Sequence, residues 1–133
     1  MTLLSLEDVS VRLHNRTVLD SLNWQVEAGN IYSIIGPNGS GKSTLLKTCA
    51  GQLKPAQGKV LLQDRPLDSY PRRQLARHMA MLQQSQASLP DVSVRSLVSY
   101  GRFPHQPVWG AKRKEDEEMV EWAMAQTGTL PLA

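Results

Sequence analysis

The chain has 133 residues, 41% hydrophobic and 20% charged, an ordinary balance for a soluble domain and enough length to bury one core. Aromatics are scarce at 5%, so packing has to rest on Leu, Val, Ile and Met. A net charge of +3 and a pI near 9.2 suit a phosphate ligand or an anionic surface nearby, and are too mild to indicate nucleic acid.

Taken in order, residues 3–11 alternate loosely, with Leu4, Leu6, Val9 and Val11 apolar, and predict one or two short strands. His14-Asn15-Arg16 reads as a turn. Val18 to Val26 predicts a second strand, with Leu22, Trp24 and Val26 in period-two alternation. Ala28-Gly29-Asn30 is punctuation before a short apolar strand, Ile31-Tyr32-Ser33-Ile34-Ile35. A helix follows from Ser43 to Ala50, its buried face assigned to Leu45, Leu46 and Cys49, with Gly51 as the residue just past its end. Cys49 is the single cysteine, which excludes an internal disulfide and a Cys-rich metal site; it reads as a small buried apolar residue.

Lys54 to Gly58 predicts a loop, Val60-Leu61-Leu62 a strand, and Gln63-Asp64-Arg65-Pro66 a turn. Arg72 to Arg77 forms a short basic helix, and Met79-Ala80-Met81-Leu82 a strand buried on both faces. Gln83 to Asp91 is polar. Val94 to Tyr100 is predicted helical, and a last helix runs from about Arg113 to Gln126. That last helix is expected to bury Met119, Trp122, Ala123 and Gln126, and to start loosely because Arg113 is a poor cap. No apolar run is long enough to span a bilayer, and Met1–Asp8 lacks the basic start and apolar region of a signal peptide, so a cytoplasmic chain is expected.

The organising stretch is Gly36-Pro37-Asn38-Gly39-Ser40-Gly41-Lys42-Ser43, followed by Thr44. Strand, glycine-rich loop and helix is the setting in which G-x-x-x-x-G-K-[ST] binds phosphate. Glycines permit positive φ and close backbone approach, so successive N–H groups turn inward toward an anion. The helix N-terminus adds its partial positive charge. Lys42 is expected to reach the β- and γ-phosphates, and the Ser43 hydroxyl to complete a Mg²⁺ shell. The plain alternative is a glycine-rich turn with a solvated lysine.

This loop, continued by Thr44-Leu45-Leu46, then Gly51 and Gly58-Lys59-Val60, resembles the ATP-binding subunit of an ABC transporter. The stretch Val94-Arg95-Ser96-Leu97-Val98-Ser99-Tyr100-Gly101-Arg102-Phe103-Pro104-His105 is similar to importers of ferric siderophores, haem and vitamin B12. The resemblance implies an α/β fold, a P-loop NTPase core of ABC ATPase type that is incomplete. It divides the chain into an antiparallel β layer (1–30), part of the P-loop core (31–84) and the start of a helical subdomain (85–133). It also implies ATP and Mg²⁺ as cofactors, a membrane permease and a second ATPase subunit as partners, no nucleic acid, and a place at the inner face of the cell membrane. Gln84 falls where the family has a glutamine touching Mg²⁺ and the attacking water, with Gln83 where proline is usual. An amide can coordinate through its carbonyl and orient water through its NH₂; otherwise Gln84 is a solvated loop residue. Gln86 to Arg102 corresponds to the permease contact, although Leu97 and Val98 equally suit local packing.

The family's adenine-stacking aromatic is replaced by Leu13, with His14 beside it, which leaves base selectivity open. Residues 1–133 contain no Leu-Ser-Gly-Gly-Gln signature, and Asp64 runs directly into a turn rather than ending a metal-binding strand. A truncated cassette is therefore expected, which binds nucleotide weakly at best and does not hydrolyse it appreciably by itself. A non-catalytic nucleotide-binding module and a different small P-loop enzyme stay open as alternatives.

Overall fold

Two twelve-residue strands, β1 (Thr2–Leu13) and β2 (Arg16–Glu27), form an antiparallel hairpin around His14 and Asn15. Both turn residues hold positive φ, 47° and 60°, as a two-residue turn matched to the strand twist requires. Short strands were expected over 3–11; one long strand forms instead, interrupted only by bulges. β3 (Gln57–Leu62) pairs with the other side of β1, and the two-residue β4 (Arg65–Pro66) follows a second positive-φ turn at Gln63 and Asp64. The order is β2-β1-β3-β4, antiparallel throughout, and the computed structural model describes residues 1–84 and 91–133.

Position in the sheet explains the burial. Central β1 buries Leu4, Ser5 and Leu6 in succession, then Val9, Ser10 and Val11, so both of its faces are covered. Edge strand β2 keeps the alternation read from its sequence, with Leu22, Trp24 and Val26 half-buried and Ser21, Asn23 and Gln25 exposed. The bulges are held by side chains. Asp8 sits at φ 49°; its N–H donates to Asn23 Oδ1 at 3.0 Å, and Asn23 Nδ2 donates back to Asp8 Oδ1 at 3.0 Å. Across the hairpin, Ser21 at φ 45° donates its N–H to Ser10 Oγ at 2.9 Å. These contacts satisfy groups that a bulge withdraws from the ladder.

α1 (Lys42–Cys49) starts one residue earlier than predicted, and Gly51 closes it at φ 76°. Its buried residues are Thr48 and Cys49, whereas Leu46 is 47% exposed, a correction to the predicted face. The Thr48 hydroxyl is made compatible with full burial by donating to Thr44 O at 2.7 Å. Burial pushes the Cys49 thiol up to about 11, so it stays protonated at neutral pH. α2 (Arg72–His78) forms where expected and buries none of its side chains.

The predicted strands at 31–35 and 79–82 do not form ladders among the described residues. Ile31 and Ile35 are 98% and 93% exposed, and Leu82, assigned above to a strand covered on both faces, is exposed too. Apolar sequence favours a strand only where a neighbour supplies the ladder and the cover.

The chain divides into two units, residues 1–75 and 76–133. In the second, α3 (Val94–Ser99) is capped by Ser93, whose Oγ accepts the Ser96 N–H at 3.1 Å. A 3-10 segment, Tyr100–His105, precedes α4 (Lys114–Gln126). α4 buries Asp116, Val120 and Met124, while Met119 and Trp122 stay exposed, which corrects the face predicted for it. The cause is an ion pair that apolar periodicity does not register. Arg102 Nε donates to Asp116 Oδ1 at 2.9 Å, and Asp116 Oδ2 accepts the Arg113 N–H at 3.2 Å. The carboxylate thus draws its own stripe inward and secures the helix start that Arg113 alone leaves open. Between α3 and α4 lies a cavity of about 600 Å³ lined by charges of both signs, including the Arg95–Glu121 pair.

The Arg102 guanidinium, helped by the Arg113 N–H, holds the Asp116 carboxyl below its ordinary value of 3.8. A carboxyl depressed in the folded state contributes stability that is present above its unfolded value and lost as pH falls through the folded one. Wild-type helicity at 222 nm should therefore hold from neutral pH to about pH 4 and fall below it. Asp116→Asn should be less stable at pH 7 and nearly insensitive to this acid step. An unchanged acid limb in the variant would assign the step to other carboxylates.

Candidate phosphate-binding site

The site is built on the N-terminus of α1, an eight-residue helix whose first turn carries no acidic side chain. Gly41 caps it at φ 100° and offers no side-chain acceptor. The first bond onto the helix is Leu45 N–H to Gly41 O at 2.9 Å, so the N–H groups of Lys42, Ser43 and Thr44 precede the intrahelical ladder. They and the helix dipole are the electropositive element of the loop.

Two glycines at alternate positions shape what leads into it. Gly39 holds φ 81° and Gly41 φ 100°, left-handed conformations of the kind from which a backbone N–H nest for an anion is built. Ser40 N–H closes the turn onto Pro37 O at 3.2 Å. At Gly41 a Cβ would meet Val18 Cγ1 and Leu19 Cδ2, each at 3.2 Å, so the loop is backed by the start of β2. At Gly36 a Cβ would approach Ser40 Oγ to 2.8 Å. Lys42 folds over the loop: its Nζ donates to Gly36 O and, at 3.0 Å, to Pro37 O. The ammonium is thereby held over the loop that its own helix terminates.

Of the residues singled out by sequence, Gly36, Pro37, Asn38, Gly39, Ser40, Gly41, Lys42, Ser43 and Thr44 are continuous here, and Pro37 to Ser40 and Ser43 are exposed. Leu13 lies half-buried at the end of β1, and His14 is exposed in the hairpin turn. Asp64 sits in the β3–β4 turn at φ 62°, as its sequence context indicated. Gln84 is exposed and belongs to the second unit. The proposed contact stretch begins at Gln86, and its first residues, 86–90, lie outside the described ones. Sequence reasoning missed the backing of Gly41 by Val18 and Leu19; the only available signal was a pair of apolar residues opening the second strand.

A family profile described as ABC transporter matches residues 19–132. The chain belongs to the ABC transporter family. Among curated relatives, it is 40% identical over 127 residues to the ferric enterobactin transport ATP-binding protein FepC of Escherichia coli, covering 96% of this chain and 47% of that protein. It is 37% identical over 133 residues to the iron(3+)-hydroxamate import ATP-binding protein FhuC of Bacillus subtilis, covering all of this chain and 49% of that one. The hemin import ATP-binding protein HmuV of Pseudomonas aeruginosa is 37% identical over 131 residues, covering 98% and 50%. This ABC transporter chain thus spans about half the length of the curated relatives it matches.

Solved ABC transporter structures agree on the fold. MJ1267, an ATP-binding cassette, superposes with a TM-score of 0.78 at 25% identity, covering 99% of this chain and 56% of that one. A nucleotide-free ATP-binding cassette gives 0.77 at 25%, with the same coverage. The expected α/β fold of an ABC ATPase with an N-terminal antiparallel layer is borne out, while the strands expected at 31–35 and 79–82 form no ladder among the described residues. Among the described residues no helix is long and apolar enough to cross a membrane.

Proposed function

We propose that this chain is part of the ATP-binding subunit of an ABC importer, of the kind that takes up iron(III)-siderophores or haem. The observation that carries the reading is the loop itself: left-handed glycines at 39 and 41, a helix N-terminus without a side-chain cap, and Lys42 folded over Gly36 and Pro37. ATP is the nucleotide, held by its phosphates on Gly36–Thr44. The relatives' names, which speak of ferric enterobactin, iron(3+)-hydroxamate and hemin, support the cargo class.

Mg²⁺ fits this site only as a nucleotide companion. Among the described residues no group of three His, Cys, Asp or Glu side chains can hold a metal ion. Ser43 offers an exposed hydroxyl at the helix start, a hard oxygen donor of the type Mg²⁺ takes beside phosphate oxygens and water. Held there, Mg²⁺ would supply neutralisation of charge on the β- and γ-phosphates. Ser43 and Gln84 are the proposed ligands from this chain, and Lys42 and Gln84 the residues proposed to act in hydrolysis. The proposed partners are membrane permease subunits and a second ATPase subunit, which place the protein at the inner face of the cell membrane.

Residues 1–133 supply positioning groups for the phosphates but no signature stretch and no carboxylate for the attacking water. Binding without turnover is therefore expected of this polypeptide. Titration with a fluorescent ATP analogue and Mg²⁺ should saturate, while phosphate release stays at the level of buffer. Turnover that disappears in Lys42→Ala would refute the second half of this reading, and absence of saturable binding the first.

A further inference from the structure

In the first unit, a cavity of about 320 Å³ lies at the C-terminal end of α1, lined also by β3 and by residues between Pro66 and Leu75. The phosphate loop sits at the opposite end of the same eight-residue helix, so the two are separate. Glycine makes the junction. Gly51 holds φ 76°, and a Cβ there would meet Leu75 Cδ2 at 3.2 Å and Leu67 Cδ2 at 3.4 Å, so the helix end comes down directly on these leucines. Val60 and Leu67 are buried lining residues, and Leu53, Pro55 and Leu75 are half-buried ones.

The lining chemistry selects a ligand class. Its hydroxyls have their protons committed within the chain: Thr48 donates to Thr44 O at 2.7 Å and Tyr70 to Leu62 O at 2.8 Å. A polyhydroxy ligand would therefore find little to replace its bonds to water. What the cavity offers is apolar surface and charge, with Lys54, Lys59 and Arg72 against one carboxylate, Asp68. Glu7 pairs with Lys59 at 3.0 Å, whereas Lys54 and Arg72 have no ion pair among the described residues. The α1 dipole opposes an anion here with roughly half a charge. Its last carbonyls are already occupied, since Leu46, Lys47 and Thr48 accept the N–H groups of Ala50, Gln52 and Gly51, and the cations prevail. The volume lies near the lower end of the range for ligand pockets, about 300–1,000 Å³, which limits the apolar body to one ring or a short alkyl chain.

We propose that this cavity binds a small amphipathic monoanion, an aryl or short alkyl carboxylate. Its apolar body lies against Leu53, Val60, Leu67 and Leu75, and its carboxylate faces Lys54 and Arg72. Burial of the body supplies the affinity and the cations set the sign of the charge accepted. The site goes beyond the nucleotide reading and does not depend on it.

The test titrates the 133-residue chain with hydrocinnamate while amide NMR spectra are recorded. Hydrocinnamyl alcohol and phenylpropylammonium serve as the neutral and cationic probes. The carboxylate should saturate with a Kd below roughly 1 mM, shifting the amides of Gly51, Leu67 and Leu75, and the alcohol should bind at least tenfold more weakly. The double variant Lys54→Glu, Arg72→Glu should lower affinity at least tenfold with melting unchanged, because both side chains are exposed. Leu75→Trp, which fills the cavity, is the second variant and should abolish the shifts. Failure to saturate, equal affinity for all three probes, or indifference to both variants overturns the proposal. So does a dimer of the chain in which the same amides are shifted without any probe, which gives the cavity to a second copy. Displacement of hydrocinnamate by the fluorescent ATP analogue, or shifts confined to residues 36–44, would place the anion on the phosphate loop instead. Saturable binding of both ligands together supports two sites; loss of nucleotide binding alone sinks only the functional reading.

Discussion

Replacing Gly58 by alanine is expected to destabilise the sheet unit by about 4 kcal/mol or more, among the larger effects of a single methyl. Gly58 holds φ 78° where β3 passes the Asp8 bulge of β1. A Cβ there would lie 2.2 Å from Asp8 O and 2.4 Å from Glu7 O. Both atoms are backbone in the central strand, so no rotamer change relieves the overlap; the two strands have to separate. The loss is comparable to the whole stability of a small domain. Gly29→Ala is the control, since Gly29 has the same φ of 79° with nothing within 4 Å. It should cost only about 1 kcal/mol, the price of a left-handed alanine. Urea unfolding of both variants measures the difference, and equal midpoints would mean that the strands separate at no cost.

Lys42→Ala is expected to weaken binding of the fluorescent ATP analogue by roughly 100-fold, about 3 kcal/mol, the scale of charge-assisted hydrogen bonds lost to a phosphate. The fold should be untouched. Among the described residues Lys42 Nζ bonds only to Gly36 O and Pro37 O, carbonyls of a loop open to water. Melting temperature therefore separates loss of the ligand contact from loss of structure. A fall in affinity of less than about fivefold, under 1 kcal/mol, would leave the backbone N–H groups and the helix dipole as the dominant phosphate contacts.

Much of the local structure was legible in sequence because it depends on near neighbours. The β2 alternation, the turns at His14-Asn15 and Gln63-Asp64, the end of α1 at Gly51 and the glycine loop all follow from steric rules acting over a few residues. The burial of Cys49 followed from its type alone. What failed depends on partners distant in the chain. α4 turns its 116–120–124 stripe inward because Arg102, fourteen residues away, pairs with Asp116. Leu46 lies on the exposed side of α1 although its apolarity placed it inside.

The sequence by itself determined the phosphate loop, the family and the hairpins, since each is encoded in contiguous residues whose backbone preferences need no other part of the chain. Only the tertiary structure decided that Asp8, Asn23, Ser10 and Ser21 lock a double bulge, that Gly58 is indispensable where β3 crosses it, and that Val18 and Leu19 back the loop at Gly41. It also decided that Ile31–Ile35, apolar enough to predict a strand, stands with its outer side in water. Register, close approach and cover are pairwise properties of segments far apart in the chain, and hydrophobic periodicity reports which residues favour burial without reporting what buries them.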